Sequence, residues 1–185
     1  MAATTWNIDT SHSAIHFSVR HMLVSKTRGR FTKWTGQLKF DPDDAANSSV
    51  NVEIEPASID TSDATRDGHL RSPDFFDVEK HPKATFRSTK VTDLGGDKYV
   101  VTGDLTVRGI TRPVSFEALF EGSAKDPWGG ERSGFSAALT LDRREFGLTW
   151  NKALETGGFV VGDKVELSLE VEAVKEVAKQ AASAA

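Results

Sequence analysis

The sequence predicts an all-β domain of about eight antiparallel strands, closed into a barrel or folded into two packed sheets. Three observations predict this fold. Apolar and polar residues alternate along most of the chain, turn-forming residues separate the alternating runs, and only one long internal stretch breaks the alternation. Alternation with a period of two is typical of a strand that buries one face and exposes the other.

The alternating runs define the strands. In the clearest run, Val165, Leu167, Leu169 and Val171 share one face, while three glutamates and a serine share the other. Turn-forming sequences such as "LGGDK" lie between runs, and short links predict that consecutive strands are neighbours in the sheet. In chain order, the other runs are "AIHFSVRH", "GRFTKWTGQLKF", "VNVEIEPASI", "ATFRSTKV", "KYVVTGDLTVRG", "PVSFEALFEG" and "GFSAALTL".

The stretch that lacks the alternation predicts a short helical insertion around residues 62–80. A helix is expected to begin near Asp63, and Ser72-Pro73 resembles a second helix start, because proline is favoured at the first helical position. Phe75 and Phe76 lie about 100° apart on a helix. We therefore expect at least one of the two rings to face the barrel.

Length and composition indicate one globular domain. The 185 residues fit a single core, which we place at residues 4–174, and the alanine-rich residues 175–185 are expected to form a frayed tail. The chain has no cysteine, which excludes disulfides, thiolate nucleophiles and cysteine-ligated metal centres.

Charge and hydropathy predict the environment of the protein. The formal net charge of −4 gives no electrostatic reason to bind nucleic acid. The chain contains no run of about 18 apolar residues, so we expect that it does not span a membrane. Its N-terminus lacks the basic and then apolar layout of a signal peptide, and we expect a cytoplasmic protein.

The strongest candidates for catalysis are His69, Asp74 and Asp77, which could form an acid/base pair acting on an apolar substrate. A structural interpretation is favoured, because the two aspartates would lie in the first turns of a helix, where the helix dipole stabilises acids. His12 and His16 have the spacing of a metal-binding pair on a helix, but the alternation around them indicates a strand. We predict no catalytic residue, no metal and no cofactor, and keep the enzyme as an alternative.

The barrel interior decides the function. A barrel of about eight strands is either filled by side chains or holds one small ligand. The chain has eleven phenylalanines, and several lie on the inferred inward faces, where they could fill the interior or line a pocket. The residues leave both readings open, and a filled barrel would act through its surface as an interaction module.

Six stretches, in the same order, resemble the YceI-like family. The resemblance covers Thr4 to Val174, nearly the whole chain. No single stretch is specific, but the ordered set is. The stretches are "WNIDTSHSAIHFSVRHM", "GRFTKWTGQLKFD", "ASIDTSDATRDGHLRSPDFFDVEKHPKATFRST", "GDLTVRGITRPVSF", "DRREFGLTWN" and "VGDKVELSLEVEAV".

The resemblance implies an eight-stranded, lipocalin-like antiparallel barrel with a helical insertion. It also implies an elongated apolar cavity that binds polyisoprenoids or other long-chain amphiphiles, such as isoprenoid quinones and fatty-acid amides, for carriage or storage rather than catalysis. Family members are often exported to the periplasm, and this sequence differs from them in lacking a recognisable signal peptide.

We combine the resemblance with the inferred strand faces to predict the ligand site. The candidates for recognising a ligand head group are Arg20, His21 and Arg71, and a homodimer formed through strand edges is left open. The residues predicted to line the apolar tunnel are Phe17, Val19, Phe75, Phe76, Phe86, Phe116, Phe120, Phe135 and Leu139.

Overall fold

The computed structural model describes residues 3–176 and contains one α-helix and eleven β-strand segments. The helix, α1, spans Ala64–Arg71. The strands, β1 to β11 in chain order, are Thr4–Ile8, Ala14–His21, Ser25–Phe31, Trp34–Phe40, Ser49–Ile54, Ile59–Asp60, Ala84–Gly95, Lys98–Val107, Ile110–Lys125, Glu131–Asp142 and Val161–Lys175.

The eleven segments form a closed ring of eight strands, because three positions in the ring are each built from two consecutive segments. These pairs are β1 with β2, β3 with β4, and β5 with β6. One edge of β11 pairs with both halves of the first position: Trp6 of β1 lies opposite Lys175, and Phe17 of β2 lies opposite Leu167. Every pairing is antiparallel. The predicted eight-stranded antiparallel barrel is confirmed.

The placement of one domain at residues 4–174 stays a prediction. Strand β11 ends at Lys175, one residue beyond the predicted boundary, and the backbone N–H of Glu176 donates to the carbonyl of Thr5. The rest of the expected tail, residues 177–185, lies outside the described residues.

The insertion contains one helix, although the sequence predicted two helix starts in it. Helix α1 begins at Ala64, one residue after the predicted start, and its N-cap is Asp63, whose carboxylate accepts a hydrogen bond from the backbone N–H of Arg66 at 2.9 Å. Residues 72–80 form successive turns, so the second predicted helix start is wrong. The reason is visible at Asp77, whose φ of 48° lies in the left-handed region and interrupts a right-handed helix.

Hydrogen bonds from and to the side chains of α1 hold the insertion against the barrel. The carboxylate of Asp67 accepts hydrogen bonds from the backbone N–H of Thr61 at 3.0 Å and from its hydroxyl at 2.6 Å. Arg71 donates to the carbonyl oxygens of Ala57 at 2.7 Å and Ile59 at 3.0 Å. These contacts fix α1 beside β6, over one end of the barrel.

Two apolar clusters fill the interior. We call the barrel end that carries α1 the helix end and the opposite end the β1 end. The larger cluster extends from the β1 end into the middle of the barrel, and its buried residues are Trp6, Leu38, Phe40, Phe86, Val91, Tyr99, Val101 and Ala173. At the helix end the buried residues are Phe75, Phe146 and Leu148, with Leu70, Phe76 and Trp150 packed against them.

One buried arginine organises the long β10–β11 connection at the helix end. Arg143 donates to the carbonyl oxygens of Leu148 at 2.6 Å, Trp150 at 2.9 Å and Gly162 at 2.8 Å. Its guanidinium also lies 3.6 Å from the carboxylate of Asp163. The side chain therefore ties the start, the middle and the end of this connection together.

We expect Arg143→Lys to lower the free energy of unfolding by about 2 kcal/mol or more, since a lysine cannot reproduce the fork of donors and leaves buried carbonyls unpaired. Arg144→Lys is the matched control, because the Arg144 side chain is 55% exposed whereas that of Arg143 is 5% exposed. Urea denaturation measures both variants. Equal midpoints for the two variants would show that Arg143 does not organise the connection.

Candidate ligand-binding cavity

The barrel contains an apolar cavity of about 190 Å³, whose wall includes most buried residues of the larger cluster. Each of the eight ring positions contributes to its wall. The apolar and aromatic lining residues are Ile8, Ile15, Trp34, Leu38, Phe40, Val50, Val52, Ile54, Phe86, Val91, Tyr99, Val101, Leu105, Val114, Phe116, Ala118, Phe135, Ala137, Leu139, Leu141, Leu167, Leu169 and Val171.

Few polar residues border the cavity, and three of the four lie together. Lys39, Ser48 and Ser49 are grouped where β4 connects to β5, and Ser136 lies on β10. The Ser136 hydroxyl is directed outward, since it donates to the carboxylate of Glu121 on the barrel surface at 2.6 Å. The β4–β5 connection is therefore where a polar group of a ligand would find partners.

Aromatic rings close the cavity at the β1 end. The ring of Phe40 lies 5.6 Å from that of Tyr99, 5.1 Å from that of Phe120 and 5.3 Å from that of Phe135, measured between centroids. Burial raises the pKa of Tyr99, so its phenol stays neutral beside the apolar space. Such tilted and edge-on ring pairs stabilise the cluster beyond the area that they bury.

The helix end is closed by a second group of side chains, Phe75, Phe76, Phe146, Leu148 and Trp150, which we call the plug. The plug packs against Leu105, Val114 and Leu141, and these three residues also line the cavity. The plug is therefore the next layer of side chains beyond the empty space.

Strands β9 and β10 separate where the plug lies. Their pairing ends at Ala118 and Ala137, whereas β10 stays paired with β11 as far as Asp142. Val114 of β9 and Leu141 of β10 lie beyond the last pair, and both contact the plug. Side chains of the plug, instead of backbone hydrogen bonds, close this part of the wall.

Comparison with known proteins decides the family. A family model described as a YceI-like domain matches residues 6–173.

The chain belongs to the YceI-like family.

The resemblance inferred from the six stretches is confirmed. Sequence relatives include a UPF0312 protein from Vibrio parahaemolyticus, 42% identical over 178 residues, which cover 94% of this chain and 89% of the relative. A UPF0312 protein from Vibrio cholerae is 44% identical over 148 residues, 79% of this chain and 78% of the relative.

Solved structures of other proteins share this barrel. A YceI protein from Campylobacter jejuni superposes with a TM-score of 0.73 at 32% identity, over 85% of this chain and 90% of its own. BcnA from Burkholderia cenocepacia superposes with a TM-score of 0.79 at 28% identity, over 89% of this chain and 98% of its own. A polyisoprenoid binding domain from Saccharophagus degradans, 14% identical, shares the fold with a TM-score of 0.68, over 94% and 99%.

Four of the nine residues predicted to line the tunnel border the cavity: Phe86, Phe116, Phe135 and Leu139. Phe120 faces inward but does not border it, because its ring lies behind Phe40 and Phe135 in the aromatic cluster at the β1 end.

The other four predicted lining residues lie at the helix end, beyond the cavity. Phe17 and Val19 follow Ile15 on the same face of β2, where Phe17 packs against Phe31 at 5.6 Å. Phe75 and Phe76 belong to the plug. The expectation differs from the structure here because the empty space ends one side-chain layer before these residues.

Sequence reasoning missed most of the aliphatic wall. Leu167, Leu169 and Val171 line the cavity, and the alternation of β11 had already placed them on one face. Ala118 and Ala137 also line it. The alternating pattern therefore contained the information that identifies these aliphatic lining residues, but the prediction was drawn mainly from the phenylalanines.

None of the predicted head-group residues borders the cavity. Arg20 is exposed on the outer face of β2, and His21 ends that strand opposite Val161. Arg71 is occupied by the carbonyls of Ala57 and Ile59.

The predicted acid/base residues form a pair outside the cavity wall. His69 Nε2 lies 2.8 Å from an Asp74 carboxylate oxygen, and its ring packs edge-on against Trp150 at 4.6 Å. Asp77 is buried, with its carboxylate 3.6 Å from the ammonium of Lys80. The pair His69–Asp74 therefore packs on the outer side of the plug.

One ionic cluster on the outer barrel surface has metal-ligand chemistry. Atoms of Asp9, His12 and Glu172 that could bind a metal lie within 4.8 Å of one another. The guanidinium of Arg132 donates to the carboxylates of both Asp9, at 2.9 Å, and Glu172. Arg132 already supplies the positive charge that a cation would bring, so the cluster is explained as an ion-pair network.

The same cluster predicts an acid-dependent loss of stability. Hydrogen bonds from Ser11, His12 and Arg132 hold the pKa of Asp9 well below its usual value. An aspartate in the unfolded chain has a pKa of about 3.9, so the unfolded state takes up the proton before the folded state does as the pH falls. The stabilisation is complete above that pH and is lost as the pH falls. Urea denaturation between about pH 5 and pH 3 should show a smaller loss for Asp9→Asn than for the unchanged chain; identical losses would contradict this account.

Proposed function

We propose that the protein binds one long-chain apolar lipid in the barrel interior, for carriage or storage and without catalysis. The lipid class is a polyisoprenoid, an isoprenoid quinone or a fatty-acid amide. The observation that carries the proposal is the cavity of about 190 Å³, which has an apolar wall built from all eight ring positions.

The size and chemistry of the cavity suit a chain better than a compact polar ligand. A cavity needs about 10–15 Å³ to hold one water-sized group, so this one has room for on the order of a dozen methylenes. Each buried methylene stabilises a complex by about 0.8 kcal/mol, so binding requires few polar contacts. Ser48 is the polar lining residue best placed to contact a head group, because Lys39 and Ser49 pair across β4 and β5 on the face opposite to the inward-facing Leu38 and Val50.

The relatives support the lipid class. The fold is shared with a domain from Saccharophagus degradans that is described as polyisoprenoid binding. The proposal of a non-catalytic role is supported by the position of His69 and Asp74, neither of which borders the cavity. An active enzyme would need its acid and base within hydrogen-bonding reach of the bound substrate.

Uptake of a fluorescent long-chain probe tests the proposal. We expect a saturable rise in probe fluorescence with one site per protein, and competition by an unlabelled isoprenoid alcohol of similar length. A short polar alcohol is the control competitor and should have no effect. A signal that never saturates, or that both alcohols displace equally, would contradict a defined chain-binding site.

The remaining expectations concern the setting of this function. We propose that the protein works in the cytoplasm and binds no nucleic acid, and a homodimer stays a prediction. Within the part of the chain that the structure describes, no helix is both long enough and apolar enough to cross a membrane.

A further inference from the structure

Four large apolar side chains are exposed together at the helix end. Met22, Leu23 and Val24 form the turn between β2 and β3 and are 42%, 67% and 83% exposed, and Phe159 in the β10–β11 connection is 58% exposed. The two segments touch: the Met22 backbone N–H donates to the carbonyl of Val160 at 2.9 Å, and Leu23 packs beside Gly158. We call these four residues the apolar tip.

The backbone of this turn is unusual for its sequence. The Val24 N–H donates to the His21 carbonyl, and the two central residues, Met22 and Leu23, have φ values of 51° and 63°. A two-residue turn with two positive φ values favours asparagine and glycine, because larger side chains are strained there. Neither this strain nor the exposure of apolar side chains stabilises the isolated protein. The residues are thus better explained by contact with something outside it.

The charges beside the apolar tip have the sign that suits an anionic surface. Arg20, Lys26 and Arg28 lie on the outer strand ends that lead to the turn, and Glu166 of the neighbouring β11 pairs with Lys26. Asp163, also on β11, is paired with Arg143 and Arg144. In the second segment, 151–160, one lysine and one glutamate balance each other. The region is locally basic although the whole chain carries −4.

We propose that the apolar tip inserts into the surface of a lipid bilayer, with the basic strand ends facing anionic head groups. Exposed apolar patches mark interaction sites on proteins or membranes. Leu23 and Val24 are highly exposed at the tip of the β2–β3 hairpin. Such a tip enters a soft lipid surface more readily than it fits a flat protein face. The choice of a bilayer also rests on the proposed lipid-carrying function, since a carrier must exchange its lipid with a membrane.

The position of the tip adds to the argument. Phe159 belongs to the same connection as Phe146, Leu148 and Trp150 of the plug. Docking through the tip therefore turns the helix end, which the plug closes, toward the membrane. Trp128, which is 86% exposed in the β9–β10 turn, is not part of this group and provides a control position.

Co-sedimentation with vesicles tests the proposal. We expect the unchanged chain to sediment with vesicles of phosphatidylcholine and phosphatidylglycerol, and less with phosphatidylcholine alone. The triple variant Leu23→Ser, Val24→Ser, Phe159→Ser should bind the mixed vesicles about tenfold more weakly. Trp128→Ser should bind as the unchanged chain does.

Two outcomes would overturn the proposal. In one, the unchanged chain stays in the supernatant with the mixed vesicles. In the other, the triple variant binds these vesicles as well as the unchanged chain does. If the unchanged chain sediments equally with both vesicle types, the basic strand ends do not contribute to membrane binding. Uptake of the long-chain probe without vesicles separates this proposal from the proposed function. The triple variant should take up the probe as the unchanged chain does. An unchanged chain that binds vesicles but takes up no probe would contradict the proposed function and leave the membrane proposal intact.

Discussion

Ala137→Phe is expected to lower the affinity for a long-chain probe by about tenfold or more. Ala137 lies on the inward face of β10 and borders the cavity. A phenyl ring at this position would occupy much of the 190 Å³ that a ligand chain needs. Excluding about two methylenes from the cavity already removes enough binding free energy for a tenfold loss.

Ala138→Phe provides the matched control on the same strand. Ala138 is the next residue of β10, and it is exposed on the outer face opposite Ser168 of β11. This variant should keep the affinity of the unchanged chain, as judged by fluorescence titration. Equal probe affinities of the two variants would mean that the ligand binds elsewhere.

Phe146→Ala is expected to lower the free energy of unfolding by about 3–5 kcal/mol. Phe146 is 2% exposed and lies at the centre of the plug, with Phe75 and Leu148. Its removal leaves a void in a part of the wall where β9 and β10 are not joined by backbone hydrogen bonds. Urea denaturation, followed by tryptophan fluorescence, measures the loss.

Phe159→Ala is the matched control, since Phe159 lies in the same connection but is 58% exposed. Its unfolding free energy should stay within about 0.5 kcal/mol of the unchanged chain. A Phe146→Ala variant that is as stable as Phe159→Ala would show that the plug does not hold the helix end closed.

The alternating pattern predicted the architecture because a period of two directly reports the two faces of a strand. It did not show that three ring positions are each broken into two segments. The break at 9–13 depends on the Asp9 carboxylate bonding to Ser11 and Arg132, and Arg132 is more than a hundred residues away in sequence. Such a long-range contact leaves no periodic signal in either strand.

The same limit explains the partial prediction of the site. Alternation places Ile15, Phe17 and Val19 on one face of β2, but it does not report depth along the barrel axis. Only Ile15 lies at the level of the cavity. The ring of Phe17 lies over Gly29 and contacts Phe31, and both contacts come from strand pairing. The face of each residue was predictable from the sequence, and its depth along the barrel was set by the pairing of distant strands.

Phe75 and Phe76 show how the insertion fulfils a structural role. The sequence predicted that at least one of these rings faces the barrel, and both pack at its helix end within a series of turns instead of a helix. The turns depend on the left-handed conformation of Asp77. Aspartate adopts this conformation more often than most residues do, but only in a minority of cases, so the sequence does not predict it.

The most direct test of lipid binding is to extract the purified 185-residue chain with organic solvent and to identify the released molecules by mass spectrometry. The proposed function predicts a long-chain, largely apolar amphiphile of the polyisoprenoid, quinone or fatty-acid amide class, at close to one molecule per protein. Protein that yields no such lipid, and that also takes up no long-chain probe, would contradict it.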